Sequence, residues 1–375
     1  MKIAIDATLL KQENTGAGFY IINLINGIQK IDKSNNYYIF IDNSLINDVI
    51  EIENDNFNIV HKRFKNRFIR IFWQLIILPF YLKIKSIDIL HSPHYITPII
   101  KTGFKTVVTV HDMTFFLFPE QHTKIKKFFF RLMIPIFLNR ADKIIVDSNN
   151  TMLDLLKIFK FYKEKIRVIY LSYPEYYNKK KDSNICRNIL KKYGIYKDFI
   201  LFVGMIEPRK NILLLLKAFA NLDKEINLDL VIVGKKGWYY KEIEEFLKKL
   251  KKMSLKNKII FTGYVPEHEI KNFYQSAFIF VYPSLYEGFG LPPLQAMACG
   301  TPVITSNVSS LPEVVGDAAI KIDPCNLNEL INSIRLLYIS SQERKKLIKK
   351  GLQQAKKFNL FNISKDIVSL YNCLD

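Results

Sequence analysis

Tyr286-Glu-Gly-Phe-Gly-Leu-Pro-Pro-Leu-Gln-Ala-Met-Ala-Cys-Gly-Thr301 is the stretch on which the reading of this chain turns. The apolar run before it, Ala277-Phe-Ile-Phe-Val-Tyr-Pro283, predicts a strand buried on both faces of a parallel sheet. Gly288 and Gly290 permit a tight turn and a close approach of backbone to ligand. Pro292 or Pro293 opens a helix, where the missing N–H is no loss, and Gly300 stops it. Pro302 then leads into the next strand, Val303-Ile-Thr305. This order puts Glu287, Gly288, Phe289, Gly290 and Leu291 at the carboxyl edge of a sheet, with Gln295 about one turn into the helix. Loop N–H groups and a helix N-terminus at such an edge suit an anion such as a diphosphate.

Upstream, Phe199-Ile-Leu-Phe-Val-Gly204 predicts another buried strand, and Ile212 to Leu222 the helix that follows it. Between them, Met205-Ile-Glu-Pro-Arg-Lys-Asn211 sets Arg209 and Lys210 beside the helix N-terminus, with Asn211 as its cap. Two cations at a sheet's carboxyl edge are candidates for holding a diphosphate. Leu228–Gly234 and Ile259–Gly263 predict further strands, separated by a charged helix, Lys241 to Lys252. Gly263, Tyr264 and Val265 form the turn after the second of these strands. Ser310-x-x-Glu313 has the form of a capping box, and Ser306 and Asn307 are further candidate contacts for phosphate or sugar.

The first half reads in the same α/β alternation. Lys2–Asp6 predicts a strand, Thr15-Gly-Ala-Gly-Phe-Tyr20 a turn carrying Gly16 and Gly18, and Ile21–Ile31 a helix. Strands are predicted at 37–41, 57–60, 88–95, 105–112, 141–148 and 165–170, with Ser148 capping a helix. From His61 to Lys85 there is no acid, while seven Lys and Arg residues alternate with Phe64, Phe68, Phe72, Trp73, Phe80 and Tyr81. On an α-helix Arg67, Arg70, Gln74, Tyr81 and Lys85 share one narrow wet stripe. That basic, aromatic edge, with the similar Lys124–Arg131, predicts contact with an anionic membrane surface. His91, His94 and His111 lack metal-ligand spacing, and a structural role is expected for His91.

A chain of 375 residues, 49% hydrophobic, is long enough for two cores. The lysine-rich stretch Tyr176–Ser183 is the expected linker, which divides the chain into 1–176, 184–357 and a final helix, 358–375. A net charge of +20 points to an acidic partner. Four dispersed cysteines argue against a disulfide framework and for a reducing compartment. The apolar start is too short for a signal peptide, and no apolar run reaches the ~18 residues of a spanning helix. Nucleic acid is not an expected partner, because no recognised binding motif accompanies the charge. A dinucleotide-dependent oxidoreductase is disfavoured because Thr15-Gly-Ala-Gly-Phe-Tyr-Ile lacks a third glycine.

Glu287 to Val303, together with Glu207-Pro-Arg-Lys-Asn211 and Val110-His-Asp112, resembles glycosyltransferase family four over nearly the whole chain. The resemblance implies a GT-B architecture: two Rossmann-like α/β domains facing a central cleft, with the last helix crossing back to the N-terminal domain. It implies a hexosyltransferase that retains anomeric configuration, with Glu287 on donor-sugar hydroxyls, Arg209 and Lys210 on the diphosphate, and His111 facing the sugar. The implied nucleotide-sugar contacts are Gly16, Gly18, Gly204, Gly263, Tyr264, Val265, Gly288, Phe289, Gly290, Leu291 and Gln295. Two positions depart from the family: Gln295, where a second Glu is usual, and Met205, where many relatives carry Arg. No Asp-x-Asp occurs, so neither a metal nor another cofactor is expected, and Arg209 and Lys210 stand in for a bridging metal. The pattern looks most like bacterial mannosyltransferases of polysaccharide or lipopolysaccharide biosynthesis, which implies GDP-mannose as donor. A glycan or lipid-linked oligosaccharide would be the acceptor, in the cytoplasm or peripherally at the inner face of the cell membrane. The alternative is a catalytically weak, transferase-like protein that binds glycan or acts as a scaffold.

Overall fold

The computed structural model describes residues 1–10, 16–42, 50–159, 163–178, 180–222, 224–237, 241–252 and 254–374. In the first half the strands are β1 (Lys2–Asp6), β2 (Asn36–Asp42), β3 (Phe57–Lys62), β4 (Ile89–Ser92), β5 (Lys105–Val110), β6 (Lys143–Val146) and β7 (Ile166–Val168). The helices among them are α1 (Gly16–Ile31), α2 (Arg67–Phe72), α3 (Leu78–Ile84), α4 (Thr114–Leu117), α5 (Lys124–Arg140) and α6 (Asn149–Ile158). The second half supplies β8 (Phe199–Val203), β9 (Asp229–Val233), β10 (Ile259–Gly263), β11 (Ile279–Tyr282), β12 (Val303–Ser306) and β13 (Ile320–Ile322). Its helices are α7 (Ser183–Lys192), α8 (Ile212–Leu222), α9 (Lys241–Lys252), α10 (Glu267–Ser276), α11 (Leu291–Ala298), α12 (Leu311–Val315), α13 (Leu327–Ile339) and α14 (Ser341–Ala355). The chain ends in α15 (Leu360–Asn372).

These strands form two parallel sheets, ordered β3-β2-β1-β4-β5-β6-β7 and β10-β9-β8-β11-β12-β13. Continuous apolar runs such as Phe199-Ile-Leu-Phe-Val203 are buried at every residue, as a parallel strand covered on both faces requires. Strand order reverses between β1 and β4 in one sheet and between β8 and β11 in the other. Those two crevices, at the carboxyl ends of the strands, are where an open α/β sheet receives a ligand.

Two compact units result, Met1–Ser172 with Phe358–Asp375, and Tyr173–Lys357. The final helix therefore belongs with the first sheet. Its seat is α1, where Gly27 makes room: a Cβ there would stand 1.9 Å from Ser364 Oγ and 2.9 Å from Leu360 Cδ1. The change of unit falls at Tyr173 rather than after Tyr176. Tyr176 and Tyr177 are already tied to the second unit, both hydroxyls donating to Glu267 Oε1 at 2.6 and 2.8 Å. Part of the expected linker is thus a 3-10 turn, Glu175–Asn178; Lys179 lies outside the described residues.

Three local expectations change. Helix α1 begins at Gly16, so Gly16 and Gly18 sit in its first turn rather than in a turn before it; Thr15 lies outside the described residues. Asn211 has left-handed backbone (φ 53°), and its side-chain amide donates to the Pro324 carbonyl at 2.7 Å. The third concerns the basic, aromatic segment, where a π-helical turn, Trp73–Ile77, joins α2 to α3. Its wider turn breaks the α-helical phase, so the stripe expected to be wet is split: Arg67 and Lys85 are exposed, but its middle turns inward. Gln74 is buried, donating to Asp6 Oδ2 at 2.6 Å and Thr8 Oγ1 at 3.0 Å, while Phe68, Phe72, Phe80 and Ile84 face solvent.

Candidate active site

At the crevice between β8 and β11 the structure brings Glu287, Arg209 and Lys210 together. β8 delivers Gly204 and then a 3-10 turn, Pro208–Lys210; β11 delivers the loop holding Glu287. A backbone bond joins the two segments, since the Arg209 carbonyl accepts the Leu285 N–H at 2.8 Å, and Ser284 Oγ lies 3.0 Å from the same carbonyl. Glu287 Oε1 accepts from Lys210 Nζ (2.6 Å), Ser284 Oγ (2.6 Å) and the Tyr282 hydroxyl (3.0 Å). Its Oε2 accepts from Arg209 Nη1 at 2.9 Å. Arg209 Nη2 donates to Glu207 Oε1 at 2.6 Å, and Lys210 Nζ to the Tyr282 hydroxyl at 2.6 Å. All four charged groups are largely buried.

Two carboxylates and two cations balance, so the cluster is neutral as a unit. Burial alone would raise the Glu287 pKa, but Arg209, Lys210 and the Lys210 and Ser284 hydrogen bonds overcome it and hold the value near about 2. Burial, with Arg209 next to it, pulls Lys210 below an ordinary lysine, although Glu287 and Glu207 oppose this. Such a quartet is rigid and already desolvated, which is the condition for electrostatic preorganisation.

The glycine-rich loop is fixed from the far side by two serines. Ser309 Oγ accepts the Glu287 N–H at 2.8 Å and donates to the Glu287 carbonyl at 3.0 Å. Ser310 Oγ lies 2.9 Å from that carbonyl and donates to the Phe289 carbonyl at 2.6 Å. The capping box read at Ser310 is therefore not formed, because Ser310 makes no side-chain cap bond to α12. Gly290 is the N-cap of α11 at φ 111°, and a Cβ there would meet Leu311 Cδ2 at 2.8 Å. Gly288, Phe289 and Gly290 are buried, and Leu291 opens the helix.

Other predicted positions lie apart from this cluster. Gln295 is buried on α11, its Oε1 accepting the Tyr274 hydroxyl at 3.1 Å. Gly263 (φ 73°) ends β10, and half-exposed Tyr264 and buried Val265 follow it; β9 separates β10 from β8, an offset of about 10 Å. Lys235 Nζ stands 4.9 Å from the Tyr264 ring centroid. Gly204 follows β8 at φ 157°, and its carbonyl lies 1.9 Å from where a Cβ on Gly234 would fall.

His111 belongs to the first unit, after β5. Its Nδ1 is 2.7 Å from Asp147 Oδ2 and its Nε2 is 3.1 Å from the Pro93 carbonyl. Both neighbours are acceptors, so the ring makes both bonds as the imidazolium. Burial works against that charge, but Asp147 and the Pro93 carbonyl outweigh it and raise the His111 pKa. His91 is a structural residue, buried between Tyr371 Oη (2.6 Å) and Thr109 Oγ1 (2.8 Å), and burial with His94 and His111 lowers its pKa to about 3. His94 Nε2 approaches Asp6 Oδ2 at 3.3 Å, in the crevice between β1 and β4.

Sequence reasoning missed Glu207, Tyr282, Ser284, Ser309 and Asp147. Glu207 opens the run Glu-Pro-Arg-Lys itself, and an acid two residues before Arg209 was the signal available. Ser309 carried none, because its role arises from a contact 22 residues away, whereas Ser284 stands three residues before Glu287.

Residues 15–172 match the family described as Glycosyltransferase Family 4, and residues 187–354 the one described as Glycosyl transferases group 1. The chain is 32% identical over 289 residues to O-antigen chain mannosyltransferase B of Escherichia coli, covering 76% of this chain and 74% of that one. It is 28% identical over 278 residues to the serotype-specific mannosyltransferase WbdA of Escherichia coli, spanning 72% of this chain and 34% of that longer protein. Among solved structures, sucrose-phosphate synthase from Thermosynechococcus elongatus shares the fold at a TM-score of 0.79 and 20% identity, over 100% of this chain and 98% of that one.

Proposed function

The chain belongs to glycosyltransferase family 4 and has the GT-B fold, and on that premise we propose that it transfers mannose from GDP-mannose to a glycan or lipid-linked oligosaccharide, retaining configuration and needing no metal. The observation that carries this reading is the buried Glu207–Arg209–Lys210–Glu287 quartet at the crevice between β8 and β11. Mannose as the sugar is supported by the two mannosyltransferase relatives.

Departure of a nucleoside diphosphate builds negative charge on its oxygens as the anomeric carbon becomes cationic. Arg209 and Lys210 are held by carboxylates that fix their positions, so they meet that charge without reorganising. At an effective dielectric near 20, one charge pair at ~4 Å is worth about 4 kcal/mol. Glu287 is ionised across the neutral range and accepts donor-sugar hydroxyls, and the loop that Ser309 and Ser310 pin lies beside the diphosphate. Gln295 offers one acceptor oxygen to ribose, in exchange for the Tyr274 hydroxyl it now holds.

Thermal shift of the purified chain across a panel of nucleotide sugars tests the reading. GDP-mannose gives the largest rise, and Arg209→Ala removes it. Donor turnover then continues in excess EDTA and yields the α-anomer. No rise with any nucleotide sugar, or turnover abolished by EDTA and restored by a divalent ion, overturns the proposal.

A further inference from the structure

The helical rows that the first unit turns outward are apolar, and their rims are basic. Because of the π turn, α2 and α3 present Phe68, Phe72, Phe80 and Ile84 to solvent at 73, 57, 50 and 80% exposure. Helix α5 does the same with Ile125, Phe128, Leu132 and Ile136, spaced by three or four residues along the side opposite its buried Ile134 and Leu138. Single exposed apolar side chains are ordinary, but two aligned rows are not.

Both rows look out from one side of one sheet. Leu90 packs with Leu78 and Leu82 beneath α3, and Val108 and Val110 pack with Ile134 and Leu138 beneath α5. The β4–β5 register pairs Leu90 with Thr106. Side chains alternate along a strand, so Leu90, Thr106, Val108 and Val110 project to the same face. Helices α3 and α5 therefore cover neighbouring parts of that face, and their outer surfaces point the same way.

The charge on these segments has one sign. Residues 61–86 contain seven Lys and Arg and residues 121–141 contain five, with no Asp or Glu in either. Arg63, Lys65, Arg67, Lys83 and Lys85 rim the first row, and Lys124, Lys126, Arg131 and Arg140 the second, all exposed. We propose that this face of the first unit docks on an anionic lipid bilayer, with both helices lying in the interface plane, apolar rows among the acyl chains and basic rims at the headgroups. A second copy of the chain is disfavoured as the occupant, since self-contact would set these nine exposed cations against their own copies, with no acid in either segment. A nucleic acid would satisfy the cations and leave the apolar rows wet. No helix among the described residues is long and apolar enough to cross the membrane, so the contact is a surface one.

Co-sedimentation of the full chain with vesicles tests the proposal, and involves no sugar transfer, so its failure leaves the reading of the reaction standing. Phosphatidylglycerol-rich vesicles recover the protein at least about tenfold better than phosphatidylcholine vesicles, and high salt narrows the gap. Phe72→Ser with Phe80→Ser, and separately Phe128→Ser with Leu132→Ser, each lower the anionic-vesicle partition by about tenfold or more. These exposed positions leave the melting temperature unchanged, which separates lost docking from lost folding. Equal recovery from both vesicle types, serine variants that bind like the native chain, or a lipid-free dimer that the same variants dissociate would each overturn it.

Discussion

Replacing Glu287 by Gln removes one charge from a buried, balanced quartet and keeps the side chain's shape. The amide retains an acceptor for Lys210, Ser284 and Tyr282, but it turns a donor toward Arg209 Nη1, which now has an acceptor at 2.9 Å. The cost follows from titration. Glu287 falls from 4.5 to about 2 on folding, which corresponds to roughly 3 kcal/mol of stability at neutral pH. Breaking a buried ion pair from one side costs about 3–5 kcal/mol by mutational experience, in the same range. Urea unfolding of the second unit should therefore show a midpoint about 1–2 M lower in Glu287→Gln at pH 7. The sign of the pH dependence is fixed as well. A carboxylate with a depressed folded value stabilises fully above its unfolded pKa, and loses that stabilisation as pH falls through its folded one. The difference between native chain and variant is thus full above about pH 4.5 and collapses toward pH 2. The variant also leaves the cations in excess, so inorganic pyrophosphate should raise its midpoint more than that of the native chain. A loss below about 1 kcal/mol at pH 7, or a loss independent of pH, would refute the reasoning.

Three further outcomes are expected. Gly290→Ala forces an L side chain to φ 111° and sets its Cβ 2.8 Å from Leu311 Cδ2, so it should cost about 1–3 kcal/mol in the second unit's unfolding. Unaltered stability would mean that the turn relaxes. Gly27→Val drives side-chain atoms into Ser364 and Leu360 and should strip hydrogen-exchange protection from Leu360–Asn372 while leaving α8 and α11 protected. Asp147→Asn removes the acceptor that chiefly offsets burial at His111, so NMR titration should show the His111 pKa fall from its raised value to below 6.5. The sign follows: the pair's stabilisation is full below the unfolded value and lost as pH rises through the folded one.

How much of this was legible beforehand follows from the range of each interaction. The strands, β13 apart, and the helices α8 and α9 to the residue, were readable because apolar runs and 3.6-residue spacing are local properties of the chain. The Glu287 loop was readable for a related reason. Glycines and prolines punctuate it, and a strand-turn-helix order places it at a sheet edge whatever its long-range partners are. The partners themselves were not readable. Ser310 has the spacing of a cap, yet the Phe289 carbonyl claims its hydroxyl at 2.6 Å. Asn211 has the type of a cap, and the Pro324 carbonyl takes its amide. In both cases a tertiary acceptor competes with the local one, and no spacing rule registers it.

The basic, aromatic segment shows the sharper form of this limit, because there the composition was right and the face was wrong. An α-helix projected from Arg67 to Lys85 puts Gln74 and Tyr81 at the water's edge, and Phe68, Phe72 and Phe80 fall inside. One π turn delays the phase, and the choice between phases is made by polar groups far off in sequence: Gln74 reaches Asp6 and Thr8, and Arg70 reaches the Thr8 carbonyl at 3.1 Å. Asp6 is fully buried, and burial would raise its pKa if the His94 and Thr8 contacts did not more than reverse it, so the carboxylate stays charged and must be met by donors. Satisfying that one group turns Arg70 and Gln74 inward and the apolar row outward. The cost of exposing four large side chains is incurred in water alone, and it is removed wherever the row finds an apolar phase.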